Sequence, residues 1–226
     1  HSQVYMVSNQ EMSGDDIVYW MAGDWNWVAG PIMIFAAWHS GRPFVSYPTE
    51  EFDPEEAFEI LEEFDVTTPW LPPTALRMMQ SVDDPAGTYD LNLNVIISSG
   101  AAVTSEIVDW AENSLGVEIT EAYGQTEFAP IMANCPDWFP RKEESLGRPI
   151  PGNDVEILDF ENGEPLPPGE VGEIAADSDN PAIFEEYWNR PEKTQEVSLD
   201  DWHLTGDLGW RDEDGYFYFE SRKDDV

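Results

Sequence analysis

Apolar residues recur every three or four positions between Asp53 and Phe64, which is the spacing of one face of an α-helix. The Asp-Pro pair at the start of this segment is typical of a helix N-terminus. The apolar face comprises Ala57, Phe58, Ile60, Leu61 and Phe64. The pattern predicts an amphipathic helix that packs on a core through one side.

Short apolar strands alternate with helical segments along the rest of the first half. Strands are predicted at residues 66–68, 94–98 and 117–120, and helices from Pro72 onward and over residues 105–115. Alternation of this kind implies a mostly parallel sheet that is covered by helices. We therefore predict an α/β subdomain over residues 1–145.

The ends of two of these helices carry characteristic residue types. The helix over residues 105–115 is expected to begin at Thr104 or Ser105, whose hydroxyls can cap it, and to end at Gly116. The helix that follows Pro72 is expected to bury one apolar side. That side comprises Leu76, Met78 and Met79.

The pattern changes after residue 145, where helical spacing is mostly replaced by alternation. Residues 155–158 alternate as half-buried strands do, residues 171–175 are again strand-like, and residues 210–219 have a glycine-containing turn before an aromatic run. This turn chemistry predicts a β-hairpin. We predict a small antiparallel, barrel-like subdomain over residues 146–226, so that the whole chain is an α/β fold.

Composition is that of a globular chain, with 226 residues, 41% hydrophobic and 13% aromatic. The longest apolar stretches, such as residues 31–38, are far shorter than the ~20 residues that span a bilayer, so we expect no membrane span. The single cysteine, Cys135, excludes an intramolecular disulfide and is interpreted as a small buried hydrophobe. His39 and His203 are interpreted as structural residues.

The charge balance is extreme, with 47 acidic and 10 basic residues and a net charge of -37. Repulsion on this scale destabilises a compact state in dilute buffer, but salt screens it, because the Debye length falls to about 3 Å at 1 M. The ten tryptophans argue against an acidic disordered chain. The sequence indicates a cytoplasmic protein of a halophile that accumulates salt, and the lack of a basic patch disfavours nucleic acid as a partner.

Five segments occur in a fixed order along the chain. Glu-Ala-Tyr-Gly-Gln-Thr-Glu at residues 121–127 is preceded by Asp-Trp-Asn-Trp-Val-Ala-Gly at 24–30 and Ile-Ser-Ser-Gly-Ala-Ala-Val at 97–103. It is followed by Leu-Thr-Gly-Asp at 204–207 and Ser-Arg-Lys-Asp-Asp-Val at 221–226. Each segment alone is compatible with a helix cap, a turn or a charged run. Together they resemble the AMP-forming, or adenylate-forming, superfamily of acyl-CoA synthetases, peptide-synthetase adenylation domains and beetle luciferases.

The resemblance implies a site for ATP or AMP with Mg²⁺. Thr126 would donate its hydroxyl to the α-phosphate, and Glu127 would be the Mg²⁺ ligand, since magnesium takes one or two carboxylates and completes its shell with phosphates and water. A helix N-terminal carboxylate is the structural alternative for Glu127. Asp207 would accept hydrogen bonds from the ribose hydroxyls, and Arg222 would donate to the ribose or phosphate side.

The same resemblance implies an adenine pocket. Tyr123 would lie flat on the base, Gly100 and Ala101 would leave room for it, and Glu121 would accept a hydrogen bond from its amino group. Gln125 belongs to the same nucleotide-binding motif. Core packing of Tyr123 and a simple turn at Gly100 are the structural alternatives.

The acyl pocket is indicated by a departure from one branch of the superfamily. Acetyl-specific members resemble this chain but carry a tryptophan at the position of Gly124. Gly124 is also part of the nucleotide motif. The pocket is therefore expected to accept more than two carbons. Its apolar lining would comprise Trp27, Val28, Ala29 and Gly30. The motifs are most similar to those of medium-chain acyl-CoA synthetases, with an aromatic acid such as a benzoate as an alternative.

The resemblance also implies that the chain is a piece of a longer enzyme. The family's phosphate-binding loop would precede His1, and its C-terminal lid would follow the hinge residue, here Asp224. A piece without loop and lid is expected to be inactive alone.

The leading hypothesis is part of an AMP-forming acid–CoA ligase that uses ATP, Mg²⁺, coenzyme A and a small carboxylic acid. An adenylation domain that loads a carrier protein is an alternative within the superfamily. A non-catalytic acidic binding protein that retains the fold is an alternative from another class. Nucleotide binding would separate the first two hypotheses from the third.

Overall fold

The computed structural model describes residues 16–23, 25–48, 51–136 and 138–225. Asp24, the first residue of one motif segment, lies outside the described residues, and so does the position at His1 that the phosphate-loop expectation concerns. The remaining site residues predicted from the sequence lie within them.

Six α-helices occur in the described part of the chain. They are α1 (Ala29–His39), α2 (Pro54–Glu63), α3 (Pro73–Met79), α4 (Pro85–Thr88), α5 (Ser105–Trp110) and α6 (Pro191–Glu196). The predicted helix at residues 53–64 is α2, and Asp53 caps it by accepting hydrogen bonds from the amides of Glu55 and Glu56 at 2.9 and 3.0 Å. A π-helical turn, Ala111–Leu115, extends α5, and Gly116 ends it in the left-handed conformation at φ 68°.

The first half of the sheet is parallel. Its strands lie in the order β2-β1-β3-β4-β5, and each neighbouring pair is parallel. Their bounds are β1 (Tyr19–Met21), β2 (Phe44–Val45), β3 (Thr68–Trp70), β4 (Val95–Ser99) and β5 (Glu118–Gln125). Because the chain returns through helices, successive parallel strands present their carboxyl ends at one edge of the sheet, where sites of α/β proteins lie.

The second half of the sheet is antiparallel. Beyond β5 the strand order is β6-β7-β12-β11-β9-β8, and β10 pairs with β11. These strands are β6 (Phe128–Ala133), β7 (Ser145–Pro149), β8 (Val155–Leu158), β9 (Gly172–Asp177), β10 (Ser198–Leu199), β11 (Trp202–Arg211) and β12 (Phe217–Arg222). The predicted α/β fold with an antiparallel C-terminal part is confirmed, but among the described strands the path ends at β8 without closing into a barrel.

Strand β7 lies at the predicted subdomain boundary. It pairs with β6 on one side and with β12 on the other, so the boundary predicted after residue 145 falls at the start of a strand that continues the sheet. The division of the chain at that point stays a prediction.

Three apolar clusters support the cleft described below. The largest lies between the parallel strands and helices α2, α3 and α5, and includes Phe58 and Leu76, both fully buried. A second cluster lies under α1 around Met33. The third lies within the antiparallel half, where β6 packs on β8, β9 and β12, and includes Ile174 and Phe217. The two halves are thereby held on either side of the end of β5.

Local differences from the sequence predictions have physical reasons. Met78, expected in the core, is 46% exposed, because α3 already presents Leu76 and Met79 to the core and Met78 lies on the other side. Thr104 precedes α5, but its side chain makes no capping hydrogen bond. Cys135 is buried, as expected.

No helix in the described part of the chain is long and apolar enough to cross a membrane.

Candidate active site

A cleft of about 1210 Å³ lies at the carboxyl ends of β4 and β5, between α1 and the antiparallel strands. It brings together parts of all five motif segments. The predicted site residues that line it are Trp27, Val28, Ala29, Gly100, Ala101, Gly124, Gln125, Thr126, Glu127, Arg222 and Asp224. Four predicted residues do not line it: Gly30, Glu121, Tyr123 and Asp207.

Thr126 and Glu127 form the two-residue connection between β5 and β6. Gln125 and Phe128 are paired on either side of it, so the motif is a β-hairpin turn and the helix-cap alternative for Glu127 does not apply. Thr126 is exposed and Glu127 is half-buried. The turn therefore presents one hydroxyl and one carboxylate to the cleft.

Glu127 has one described side-chain partner, Tyr187, whose hydroxyl donates to Oε1 at 2.7 Å. Burial, followed by the hydrogen bond to the Glu127 carboxylate, raises the pKa of Tyr187 to about 12. Among the described residues no donor contacts Oε2 of Glu127. The described residues also contain no cluster of three or more His, Cys, Asp or Glu side chains able to hold a metal. The Glu127 carboxylate, on a turn that faces the cleft, fits Mg²⁺ that is bound jointly with phosphates and water.

Asp207 lies behind the cleft surface and is buried. The Tyr123 hydroxyl donates to its Oδ2 at 2.5 Å, and the Gln125 amide donates to the same oxygen at 2.8 Å. Arg222 donates to Oδ1 at 2.6 Å and also to the Thr205 carbonyl at 3.2 Å. This pairing with Asp207 raises the pKa of Arg222. Protein donors thus already contact both oxygens of the predicted ribose acceptor.

Tyr123 contacts the hydrogen-bond network around Asp207 and does not line the cleft. Burial, reinforced by the negative charge of Asp207, raises its pKa well above the ordinary tyrosine value. Its ring lies 6.4 Å from that of Phe128. The predicted stacking of Tyr123 on adenine stays a prediction, with the structure showing its hydroxyl committed to Asp207.

Glu121 joins three loops beneath the cleft. Its carboxylate accepts from the Val103 amide at 2.9 Å, from Asn134 at 3.4 Å, and from Arg141, with which it forms an ion pair. Burial raises the pKa of Glu121, while the Arg141 charge opposes the rise. Its predicted contact with an adenine amino group stays a prediction, since its described partners are all protein groups.

Two positions in the motifs require glycine, each for a different structural reason. Gly100 has φ +92° and open space where a side chain would lie, so the loop after β4 requires a left-handed residue. Gly124 sits at an irregularity in the β5–β6 pairing, and a Cβ there would lie 2.8 Å from the Pro130 Cα. Gly124 is therefore required by close backbone packing as well as by any role in the acyl pocket.

The end of the cleft next to α1 is apolar. Trp27 is 67% exposed at the mouth, and Met33, Trp70 and Pro130 contribute to the lining. The Trp70 indole donates to the Ser99 hydroxyl at 3.0 Å, which fixes the ring beside the end of β4. No charged side chain from α1 lines this part of the cleft.

Several lining residues were missed by the sequence reasoning. Tyr187 and Lys193 come from the segment before β10, and Glu173 and Lys223 form an ion pair at 2.6 Å. His203 is buried, packs edge-on against two phenylalanine rings and also lines the cleft, so its interpretation as a structural residue stays a prediction. Burial lowers its pKa. Lys223 lies within the last motif segment, but no spacing signal marks Tyr187, Lys193 or Glu173, because only the fold brings them to the motif segments.

Comparison with known proteins identifies a family and several relatives of this chain. A family model described as AMP-binding enzyme matches residues 1–188. The uncharacterized acyl-CoA ligase YtcI of Bacillus subtilis is 36% identical over 219 residues, which are 96% of this chain and 40% of YtcI. The mitochondrial acyl-coenzyme A synthetase ACSM3 of Rattus norvegicus is 35% identical over 214 residues, or 92% of this chain and 36% of that protein.

A solved structure shows the same fold. The ATP-bound MatB of Rhodopseudomonas palustris superposes with a TM-score of 0.86 at 26% identity, covering 100% of this chain and 43% of MatB. The chain spans 40% or less of the length of the two curated relatives named above. Since the family model matches most of the chain and the motif segments converge on one cleft, the chain belongs to the AMP-binding enzyme family of adenylate-forming proteins, with the acyl-CoA synthetases among its relatives.

Proposed function

We propose that the protein containing this chain activates a carboxylic acid with ATP, forming an acyl-adenylate and pyrophosphate, and then transfers the acyl group to coenzyme A with release of AMP. The observation that carries this proposal is the convergence of Thr126, Glu127 and Arg222 on one cleft whose other end is apolar. A polar end suits a nucleotide and an apolar end suits an acyl group.

The distribution of positive charge supports a phosphate-bearing ligand. Three of the chain's ten basic residues, Lys193, Arg222 and Lys223, line this one cleft. Four carboxylates, Glu127, Glu173, Glu196 and Asp224, also line it, so the lining is close to charge balance, whereas the whole chain has a net charge of -37. This local balance lessens the repulsion that a polyphosphate would otherwise meet. Lys193 forms no ion pair within the described residues, so its charge is available to a ligand.

The chemistry requires positioning and electrostatic stabilisation more than an acid–base pair. The Thr126 hydroxyl would donate to the α-phosphate, and Glu127 would hold Mg²⁺ together with the phosphates. Bound Mg²⁺ would neutralise the charge on the phosphates. Asp207 and Arg222 would hold the ribose, which requires the ribose hydroxyls to join or replace the protein donors now on Asp207.

We further propose an acyl group larger than acetyl. Gly124 puts no side chain into the cleft between the hairpin turn and α1, and the lining there is apolar. Medium-chain acids fit this lining, and a benzoate fits it as well because Trp27 and Trp70 offer flat surfaces.

The net charge of the chain indicates the salt concentration at which the protein works. We propose that the protein works in a cytoplasm at molar salt, where its acidic surface is screened within a few ångströms. This rests on the sequence composition alone.

The test uses the full-length protein that contains this chain, in molar KCl. Exchange of labelled pyrophosphate into ATP is measured with acetate, butyrate, hexanoate, octanoate and benzoate. We expect exchange that depends on an acid longer than acetate. A preference for acetate of more than tenfold in kcat/KM, about 1.4 kcal/mol, would refute the pocket argument, and no exchange with any acid would favour a binding protein.

Variants connect the activity to the cleft. E127A should mainly lower kcat, whereas D207A should raise the KM for ATP. The control is E112A, which removes an exposed carboxylate in the π-helical turn away from the cleft lining. Offering coenzyme A and a phosphopantetheinylated carrier protein to the adenylate then identifies the acyl acceptor.

A further inference from the structure

Tyr187 reaches the Glu127 carboxylate from a segment that none of the motifs includes. Its hydroxyl donates to Oε1 at 2.7 Å across 60 positions of sequence. Tyr187 also lines the cleft. The contact joins the segment before β10 to the hairpin turn that holds Thr126 and Glu127.

The backbone around Tyr187 is fixed by local structure. The Tyr187 amide donates to the Thr194 hydroxyl of α6 at 2.9 Å. The Arg190 amide donates back to the Tyr187 carbonyl at 3.0 Å, closing a turn in which Asn189 has φ 54°. Asparagine tolerates this left-handed conformation better than most residues. The hydroxyl is therefore presented from a fixed position.

A second set of contacts joins the same segment to Glu127. The Phe184 amide donates to the Glu127 carbonyl at 2.7 Å, and Ile183 forms a β-bridge with Phe128. The Phe184 ring packs edge-on against Tyr187 at 4.6 Å and against His203 at 5.6 Å. Both the main chain and the side chain of Glu127 are held by this one segment.

We propose that Tyr187 is a positioning residue that orients the Glu127 carboxylate toward the magnesium–nucleotide. This rests on the proposed function, in which Glu127 holds the metal. A donor on Oε1 restricts the carboxylate to one orientation and leaves Oε2 for the metal. Partners of this kind typically change metal affinity by about 10–100-fold when they are removed.

The experiment measures metal binding directly in the full-length protein. Mn²⁺ replaces Mg²⁺ and is titrated by electron paramagnetic resonance in the presence of a non-hydrolysable ATP analogue. Y187F should weaken Mn²⁺ binding about tenfold. The matched control is Y218F, which removes another tyrosine hydroxyl that donates to a carboxylate, Asp212, at 3.3 Å outside the cleft. It should leave Mn²⁺ affinity unchanged.

E127Q distinguishes the possible failures. If E127Q and Y187F both weaken Mn²⁺ binding and Y218F does not, the proposal is supported. If only E127Q weakens it, Glu127 holds the metal and the role of Tyr187 is refuted. If E127Q binds Mn²⁺ as the wild type does, the metal assignment in the proposed function is itself wrong.

A kinetic measurement separates positioning from a loss of folding. In Y187F the Mg²⁺ concentration for half-maximal pyrophosphate exchange should rise about tenfold, with most of kcat recovered at saturating Mg²⁺. A general loss of structure would lower the amplitude at every Mg²⁺ concentration. An unchanged Mg²⁺ dependence would overturn the proposal.

Discussion

Replacing Tyr123 with phenylalanine separates the two roles that this residue can have. The hydroxyl contacts Asp207 at 2.5 Å, whereas the predicted adenine contact uses only the ring. Y123F removes the first and keeps the second. Asp207 retains Gln125 and Arg222 as donors, so the carboxylate is not left unpaired.

The expected loss of stability follows from the kind of hydrogen bond. A bond to a charged group contributes about 1.5–3 kcal/mol, and the two remaining donors keep the cost near about 2 kcal/mol. A loss of that size lowers Tm by about 4–8 °C at about 2–4 °C per kcal/mol. The KM for ATP should change by less than about threefold, since stacking needs no hydroxyl.

The assay combines thermal unfolding in molar KCl with steady-state kinetics of the full-length protein. Y89F is the control, because the Tyr89 ring stacks on Phe58 and its hydroxyl has no described hydrogen bond. Y123A should lose ring and hydroxyl together and weaken ATP binding by about 1–3 kcal/mol more. If Y123F is as stable as the wild type, the hydrogen bond has no energetic role. If Y123A and Y123F bind ATP equally well, the stacking prediction is wrong.

Two further predictions concern stability. Burial lowers the pKa of His203. In the unfolded chain this side chain takes up a proton near the ordinary pKa of about 6.5, while in the folded chain it stays neutral. The contribution of His203 to folding stability is therefore present above that pH and is lost as pH falls. H203N should therefore flatten the decline in stability between about pH 7 and pH 5.5, and a decline as steep as that of the H39N control would contradict the assignment. Transfer from about 3 M to about 0.1 M KCl should lower Tm or abolish the near-ultraviolet circular dichroism, because the net charge of -37 loses its screening. Potassium sulfate at matched ionic strength separates screening from salting-out. A Tm that is the same at the two KCl concentrations would count against the halophilic interpretation.

The fold could be predicted where sequence pattern and environment agree. Helix α2 has one apolar face, an N-cap aspartate and a proline at its start, and the structure has it as expected. Helix α1 could not be found in the same way, because Phe35 and Trp38 on its exposed side are as apolar as Met33 and Ala36 on its buried side. Without a polar face there is no helical period to detect.

The site was predictable in its motif residues and not in their partners. The resemblance carried by the ordered motifs predicted that Thr126, Glu127 and Arg222 share one site, and all three line one cleft, while their roles stay predictions. The contacts of Tyr123 and Gln125 with Asp207, and of Tyr187 with Glu127, join residues that are 60 or more positions apart. Such contacts arise from the register of the antiparallel half, which residue types alone do not specify.

Strand β5 pairs in parallel with β4 and antiparallel with β6, and its side chains connect both halves to the cleft. Tyr123 and Gln125 on this strand bind Asp207, which is 84 and 82 positions away. Closing loops of that length costs conformational entropy before the contacts form. The parallel strands close shorter separations, such as 49 positions between Tyr19 and Thr68 and 23 between Val95 and Glu118. We therefore expect the nucleotide end of the cleft to form only after β11 and β12 have docked. Competence to bind nucleotide becomes a late event in folding, and a nascent chain that has not completed β12 does not yet carry Arg222.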